Sequence, residues 1–200
     1  MEEKQTEIST LGEFGLIRHL TEGIELVNSS SLKGVGDDCA VMEYKDTEVL
    51  VSTDLLVEGV HFDLTYVPLK HLGYKAAVVN FSDIYAMNGH PRQIVVSLAI
   101  SKRFTVEHME ALYSGIRLAC QYYGVDLVGG DTTSSRAGLV ISITVIGDAP
   151  KDKIVYRSGA KDTDLICVSG DLGSAYMGLQ LLEREKIASA GPVSYTHLTL

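Results

Sequence analysis

Two spacings of apolar residues alternate along this chain. Leu11, Phe14, Leu16, Ile17 and Leu20 recur at roughly helical spacing, with Glu13 and Arg18 between them, and predict a short amphipathic helix. Residues 28–33 read as a polar linker. Gly34-Val35-Gly36-Asp37-Asp38-Cys39-Ala40 follows as a glycine–acid turn feeding the apolar pair Val41 and Met42. Residues 48–52 (EVLVS) form a compact β-branched run, a buried strand that ends directly in Thr53 and Asp54. Pro68 opens a segment running to Asn88, with apolar residues at 72, 76, 79, 84 and 87. Proline in the first turn and Asn-Gly at the end bracket it as a helix.

The second half continues the alternation. Residues 94–100 predict a strand, and 106–123 a helix closed by Gly124. Residues 125–128 predict a short strand running into Gly129-Gly130-Asp131-Thr132-Thr133. Residues 139–146 and 165–169 predict two more strands, the last ending in Ser169-Gly170-Asp171-Leu172-Gly173 before a helix from Ser174 to about Glu185. Strands interleaved with helices in this order predict an α/β or α+β domain.

Composition narrows the function. A chain of 200 residues can hold one domain with a real core, or one domain and the start of a second. The formal charge is −9, from 17 Lys+Arg against 26 Asp+Glu. Such a surface does not draw nucleic acid or anionic membrane to itself, though it can hold phosphates where a divalent cation lies between. Cys39, Cys120 and Cys167 are far apart and odd in number, which argues against a disulfide framework or a zinc site. The first ten residues are polar and charged, unlike a signal peptide, and no apolar run spans a bilayer, so a cytoplasmic protein is expected. Residues 193–200 (VSYTHLTL) continue no pattern and read as a non-native tail.

The chemistry lies in the aspartates. Asp37 and Asp38 sit in a glycine turn, while Asp54 and Asp131 follow predicted strands. Asp83 lies within an apolar helix between Phe81 and Ile84, where an acid is costly unless partnered. Magnesium takes hard oxygen ligands, one or two carboxylates per ion, with water and substrate phosphates completing the shell. Gly129 and Gly130 let backbone approach a phosphate closely. Each piece alone also fits ordinary turn or capping chemistry. Other templates are absent: no GxxxxGK[ST] loop, no HRD or DFG, no third glycine after Gly34-x-Gly36, no HExxH. Among six histidines, His61 stands out, seven residues after Asp54.

The strings GVGDDCAV (34–41), VSTDLLVEGVHF (51–62), KAAVVNFSDIYAMNGHPR (75–92), LVGGDTT (127–133) and RSGAKDTDLICVSGDLGSA (157–175) occur in that order. Together they resemble thiamine-monophosphate kinase, a family grouped with aminoimidazole-ribotide synthetase, selenophosphate synthetase and the hydrogenase-maturation protein HypE. The resemblance runs from about residue 12 to 185. It implies an AIR-synthetase-like N-terminal domain, a mixed sheet flanked by helices, over 1–147, and the start of a second α/β domain over 148–192. It implies transfer of the γ-phosphoryl of ATP to thiamine monophosphate, with Mg2+ and without a covalent enzyme nucleophile. It maps metal ligands onto Asp38, Ser52, Thr53, Asp54, Asp83 and Asp131, nucleotide contacts onto Gly130, Asp131, Arg157 and Tyr113, and a substrate contact onto His61. A homodimer formed through the sheet is also implied.

The chain departs from the family at Asn88, which follows the Ala86-Met87 pair where the family carries glycine. The family also needs a second domain for the thiamine pocket, so this chain is expected to carry most of the metal and nucleotide site and to turn over weakly or not at all. Three rivals stay open: another ATP-dependent ligase or synthetase of the superfamily, a non-catalytic nucleotide-binding or dimerisation fragment, and a metal-dependent phosphatase.

Overall fold

The computed structural model describes residues 29–189, with Gly15, Arg18, Glu22 and Val27 besides. The helix expected over 11–20 lies outside the described residues apart from Gly15 and Arg18, both helical, and the tail expected over 193–200 lies outside them altogether. The chain order is β1 (Ser31–Lys33), β2 (Ala40–Tyr44), β3 (Thr47–Val57), α1 (Leu69–Ala86), β4 (His90–Ser101), α2 (Val106–Tyr123), β5 (Asp126–Ser135), β6 (Val140–Pro150) and α3 (Ser174–Ser189). The strands make one mixed sheet in the order β1-β2-β3-β6-β4-β5. Only β4 and β5 run parallel, as their crossover through α2 requires, and the other neighbours are antiparallel.

The core forms where one sheet face meets α1. Leu50, Leu56, Ile94, Val96, Leu98, Ile141, Ile143 and Val145 alternate onto that face and are buried with Leu72, Ala76, Ala77, Phe81 and Ile84 of α1. Helix α2 packs on α1 through Leu112, Ile116 and Ala119. Their backbones nearly touch. A Cβ on Gly73 would lie 2.0 Å from the Leu112 carbonyl oxygen, and one on Gly115 would lie 1.8 Å from that of Lys70. Glycine at both positions is what brings α1 and α2 this close.

Four expectations change. Residues 31–33 of the expected linker pair with β2, because an edge strand needs only backbone partners; the Glu43 N–H also donates to Ser30 O at 2.7 Å. The strand expected over 48–52 runs on to Val57, since β6 offers a partner at every position from Thr47↔Pro150 to Val57↔Val140. The short strand expected over 125–128 likewise extends to Ser135 along β4. Asp54 and Asp131 therefore lie inside long strands rather than beyond strand ends. Residues 165–169 form no strand: Leu165 and Ile166 are 90% and 96% exposed, and no neighbouring strand supplies a ladder. Pairing, not β-branched composition, decides each case.

Candidate metal and phosphate site

Three acids from three elements meet above the helix-side face of the sheet. Residues 50, 52, 54 and 56 of β3 alternate toward α1, which places Ser52 and Asp54 beneath it. Asp83 reaches down from the last turns of α1, and the Ser52 hydroxyl donates to its Oδ2 at 2.6 Å. Asp38 comes from the turn before β2. Burial pushes the Asp83 carboxyl above the ordinary carboxylate range. The nearby charges of Asp54 and Asp38 add to this, and the Ser52 hydroxyl and the Arg157 guanidinium offset only part of it.

Two supports hold the cluster: Asn80, which was not singled out from the sequence as functional, and Asp37, which was considered with Asp38 as a candidate acid of the glycine turn. Asn80 is fully buried; its Oδ1 accepts the Asp54 N–H at 3.1 Å while its Nδ2 donates to Ala76 O at 2.9 Å. Its signal was visible in VVNFSD: an amide one helical turn before Asp83 on an apolar face. Asp37 has a side chain only 1% exposed. Burial alone would raise its carboxyl, but the N–H groups of Asp38 and Arg157 and the Lys33 charge outweigh that and hold it below the usual range. Lys33 Nζ lies 3.5 Å from Asp37 Oδ2, yet that oxygen is buried without a hydrogen-bond partner.

Arg157 reaches this turn from the segment after β6. Its N–H donates to Asp37 Oδ1 at 3.4 Å, its Nε lies 3.7 Å from the same oxygen, and its Nη2 pairs closely with Asp38 Oδ1. Burial, with the neighbouring charges of Asp83, Asp38 and Asp37, pushes the thiol of Cys39 beside them up to about 12.

The structure thus brings together Asp38, Ser52, Asp54, Asp83 and Arg157. It leaves other expected residues elsewhere. Thr53 points to the opposite sheet face, where its hydroxyl donates to Ile143 O at 3.1 Å and accepts from Thr144 at 2.9 Å. Asp131 is in register with Ser97, Ser142 and Leu55, and so lies on that same far face. Gly130 beside it abuts β4: a Cβ there would lie 1.8 Å from Val96 O. Tyr113 packs against the core from α2.

His61 lines a separate cavity of about 510 Å³ with Tyr66, Lys75, Tyr176 and Leu179, between the loop after β3 and α3. Its Nδ1 accepts the Val57 N–H at 3.0 Å, and Lys75 Nζ donates to its carbonyl at 3.3 Å. A cavity of about 540 Å³, lined by Glu58, Asp63, Arg103, Phe104 and His108 among others, holds none of the clustered acids.

Among the described residues no set of three His, Cys, Asp and Glu side chains has the arrangement of a formed metal site. The donors still fit a divalent cation in kind. They are hard oxygens, and the charges of Asp54 and Asp38 raise the Asp83 carboxyl as burial does. Arg157 is the cation now facing Asp38, and a guanidinium suits phosphate oxygens equally well.

The fold and this site define a class. The family model described as AIR synthase related protein, N-terminal domain, matches residues 36–149, and the chain belongs to that family. Its curated relatives are more particular. The chain is 41% identical over 177 residues to the thiamine-monophosphate kinase of Bacillus subtilis (strain 168), covering 88% of this chain and 54% of that protein. It is 38% identical over 179 residues to the thiamine-monophosphate kinase of Aquifex aeolicus (strain VF5), covering 90% and 55%. A solved structure of AaThiL complexed with AMPPCP and TMP matches with a TM-score of 0.81 at 34% identity, over 97% of this chain and 58% of that one. The chain spans about half the length of the curated relatives it matches.

Proposed function

We propose that this chain forms the magnesium and nucleotide half of a thiamine-monophosphate kinase. The observation that carries the reading is the convergence of Asp38, Asp54 and Asp83 beside Arg157. The relatives' activity and the AMPPCP and TMP bound in the matching structure support it.

In the proposed reaction a phosphate oxygen of thiamine monophosphate bonds to the γ-phosphorus of ATP. The bond from that phosphorus to the β,γ-bridging oxygen breaks, and ADP leaves with the electron pair. Asp38, Asp54, Asp83 and the Ser52 hydroxyl would hold Mg2+, which supplies charge neutralisation between the phosphates. Arg157 binds phosphate oxygens as a fork. His61 and its cavity face the acceptor.

The same reading makes the protein a cytoplasmic homodimer. Cys39, Cys120 and Cys167 are free, as suits a reducing compartment. Among the described residues no helix is long and apolar enough to cross a membrane. The sheet face turned away from α1 carries Val51, Leu55, Val57, Val140 and Ile146, none fully buried, and Asp131 lies on it. Partly exposed apolar residues grouped on this otherwise mixed face support a self-association surface.

Titration of ATP into the protein with and without magnesium tests the reading, together with chromatography for thiamine diphosphate after incubation with thiamine monophosphate. Magnesium-dependent ATP binding that Asp54→Asn abolishes is the expected result. ATP binding that ignores magnesium, or release of inorganic phosphate with no thiamine diphosphate, would overturn it.

A further inference from the structure

The residue pair that ends α1 grips both loops of the carboxylate site. Met87 is fully buried, and its Sδ accepts the Cys39 N–H at 3.2 Å, which fixes the turn bearing Asp37 and Asp38. The Met87 carbonyl accepts the Val155 N–H, also at 3.2 Å. Asn88 follows at φ 60°, a left-handed conformation that asparagine adopts more readily than most side chains. That conformation lets its Nδ2 donate to Lys153 O at 2.9 Å. Two residues beyond Val155, the chain delivers Arg157 to Asp37 and Asp38.

The segment between has few other holds. Val155 is 53% exposed and Tyr156 is 36% exposed. Ile154 packs against the core edge, and Lys33 Nζ lies 5.3 Å from the centre of the Tyr156 ring. A long, half-exposed arginine presented from such a strap is useful only if the strap is fixed, because ordering it during ligand binding would subtract from affinity.

We infer that Asn88 is a positioning residue. Its side-chain amide anchors residues 153–157 so that Arg157 meets the carboxylate turn, and with it the phosphates bound there. The contact to Lys153 is independent of the kinase reading, whereas its consequence for phosphate binding rests on that reading.

Asn88→Gly tests the anchor, because glycine accepts the same φ and only the amide is lost. Asn88→Asp keeps the shape and removes the donor. Hydrogen exchange at the Val155 and Arg157 amides reads the strap. Calorimetry with magnesium and AMPPCP reads the site. Both variants are expected to exchange faster at these two amides with the α1 core amides unchanged. Both are expected to weaken nucleotide binding about two- to tenfold, the range of one neutral hydrogen bond. In an Arg157→Ala background, Asn88→Gly is expected to change binding little. Wild-type exchange at Val155 in either variant would overturn the anchor. An equal loss of binding with and without Arg157 would overturn the route through Arg157. Absence of magnesium–AMPPCP binding by the unaltered protein would sink the kinase reading, and the exchange comparison would still decide the anchor.

Discussion

The Ser52 hydroxyl donates to Oδ2 of Asp83 across 2.6 Å, joining β3 to α1 at the centre of the acidic cluster. This is the contact that helps keep a half-buried carboxylate ionised beside two others. Removing the donor with Ser52→Ala is expected to weaken magnesium-dependent nucleotide binding about fivefold. That is about 1 kcal/mol for a bond to a charged group, discounted for partial exposure. Calorimetric titration at neutral pH checks it, and a wild-type affinity would show that the bond is incidental.

Asp83 sets a pH dependence whose sign is fixed. Its folded-state carboxyl is raised, so its contribution to stability is present below the ordinary carboxylate value and is lost as pH rises through the raised one. Asp37 has the opposite sign: its contribution is present above the ordinary value and is lost as pH falls through its lowered one. Asp83→Asn should therefore unfold at higher denaturant than the unaltered protein at neutral pH, with the gap closing in acid. The same variant should lose magnesium affinity by at least the about 10–100-fold typical of losing an outer-shell partner. Urea midpoints at several pH values, paired with magnesium titrations, separate the two effects.

Asn80 holds the Asp54 N–H from inside the core. Asn80→Ala leaves that donor without its partner and is expected to cost about 1–3 kcal/mol of stability. Chemical denaturation measures this directly. A neutral result would mean that water or a shifted backbone replaces the amide.

The α1–α2 contact leaves no room for a methyl group at residue 115, where a Cβ would lie 1.8 Å from Lys70 O. Gly115→Ala should separate the helices and destabilise the protein by about 1–3 kcal/mol, as overpacking does. The measurement is again a urea midpoint. An unchanged midpoint would show that α2 can shift without penalty.

Leu55 is 55% exposed on the sheet face that carries Asp131. If that face joins two copies, Leu55→Glu should turn a dimer into a monomer by light scattering while the far-UV circular dichroism of the folded chain stays unchanged. A dimer that survives the substitution removes this face from consideration.

Much of the fold was legible because period and punctuation report local constraints. The helix over 106–123 appears at those bounds, and Pro68 and Asn88 bracket the other central helix within a residue or two. Strands were less legible. The ladder with β6 carries β3 on through Ser52 and Asp54, residues with weak strand preference of their own. Residues 165–169 show the converse: the composition suits a strand, and no ladder forms.

The candidate site divides the same way. The sequence by itself determined which residue types are present and in what order, including the acids at 38, 54 and 83, Ser52 and Arg157. It also determined the alternation that turns Ser52 and Asp54 to the same side of β3. Only the tertiary structure decided that Asp83 stands over that side, because α1 must cross the sheet there to bury Leu72, Ala76, Phe81 and Ile84. Only the tertiary structure put Asp131 on the other face with Thr53, since strand register is set by pairing across residues far apart in the chain. It also revealed Asn80, Asp37 and Asn88 as supports, because a hydrogen bond between distant segments leaves no period in the sequence.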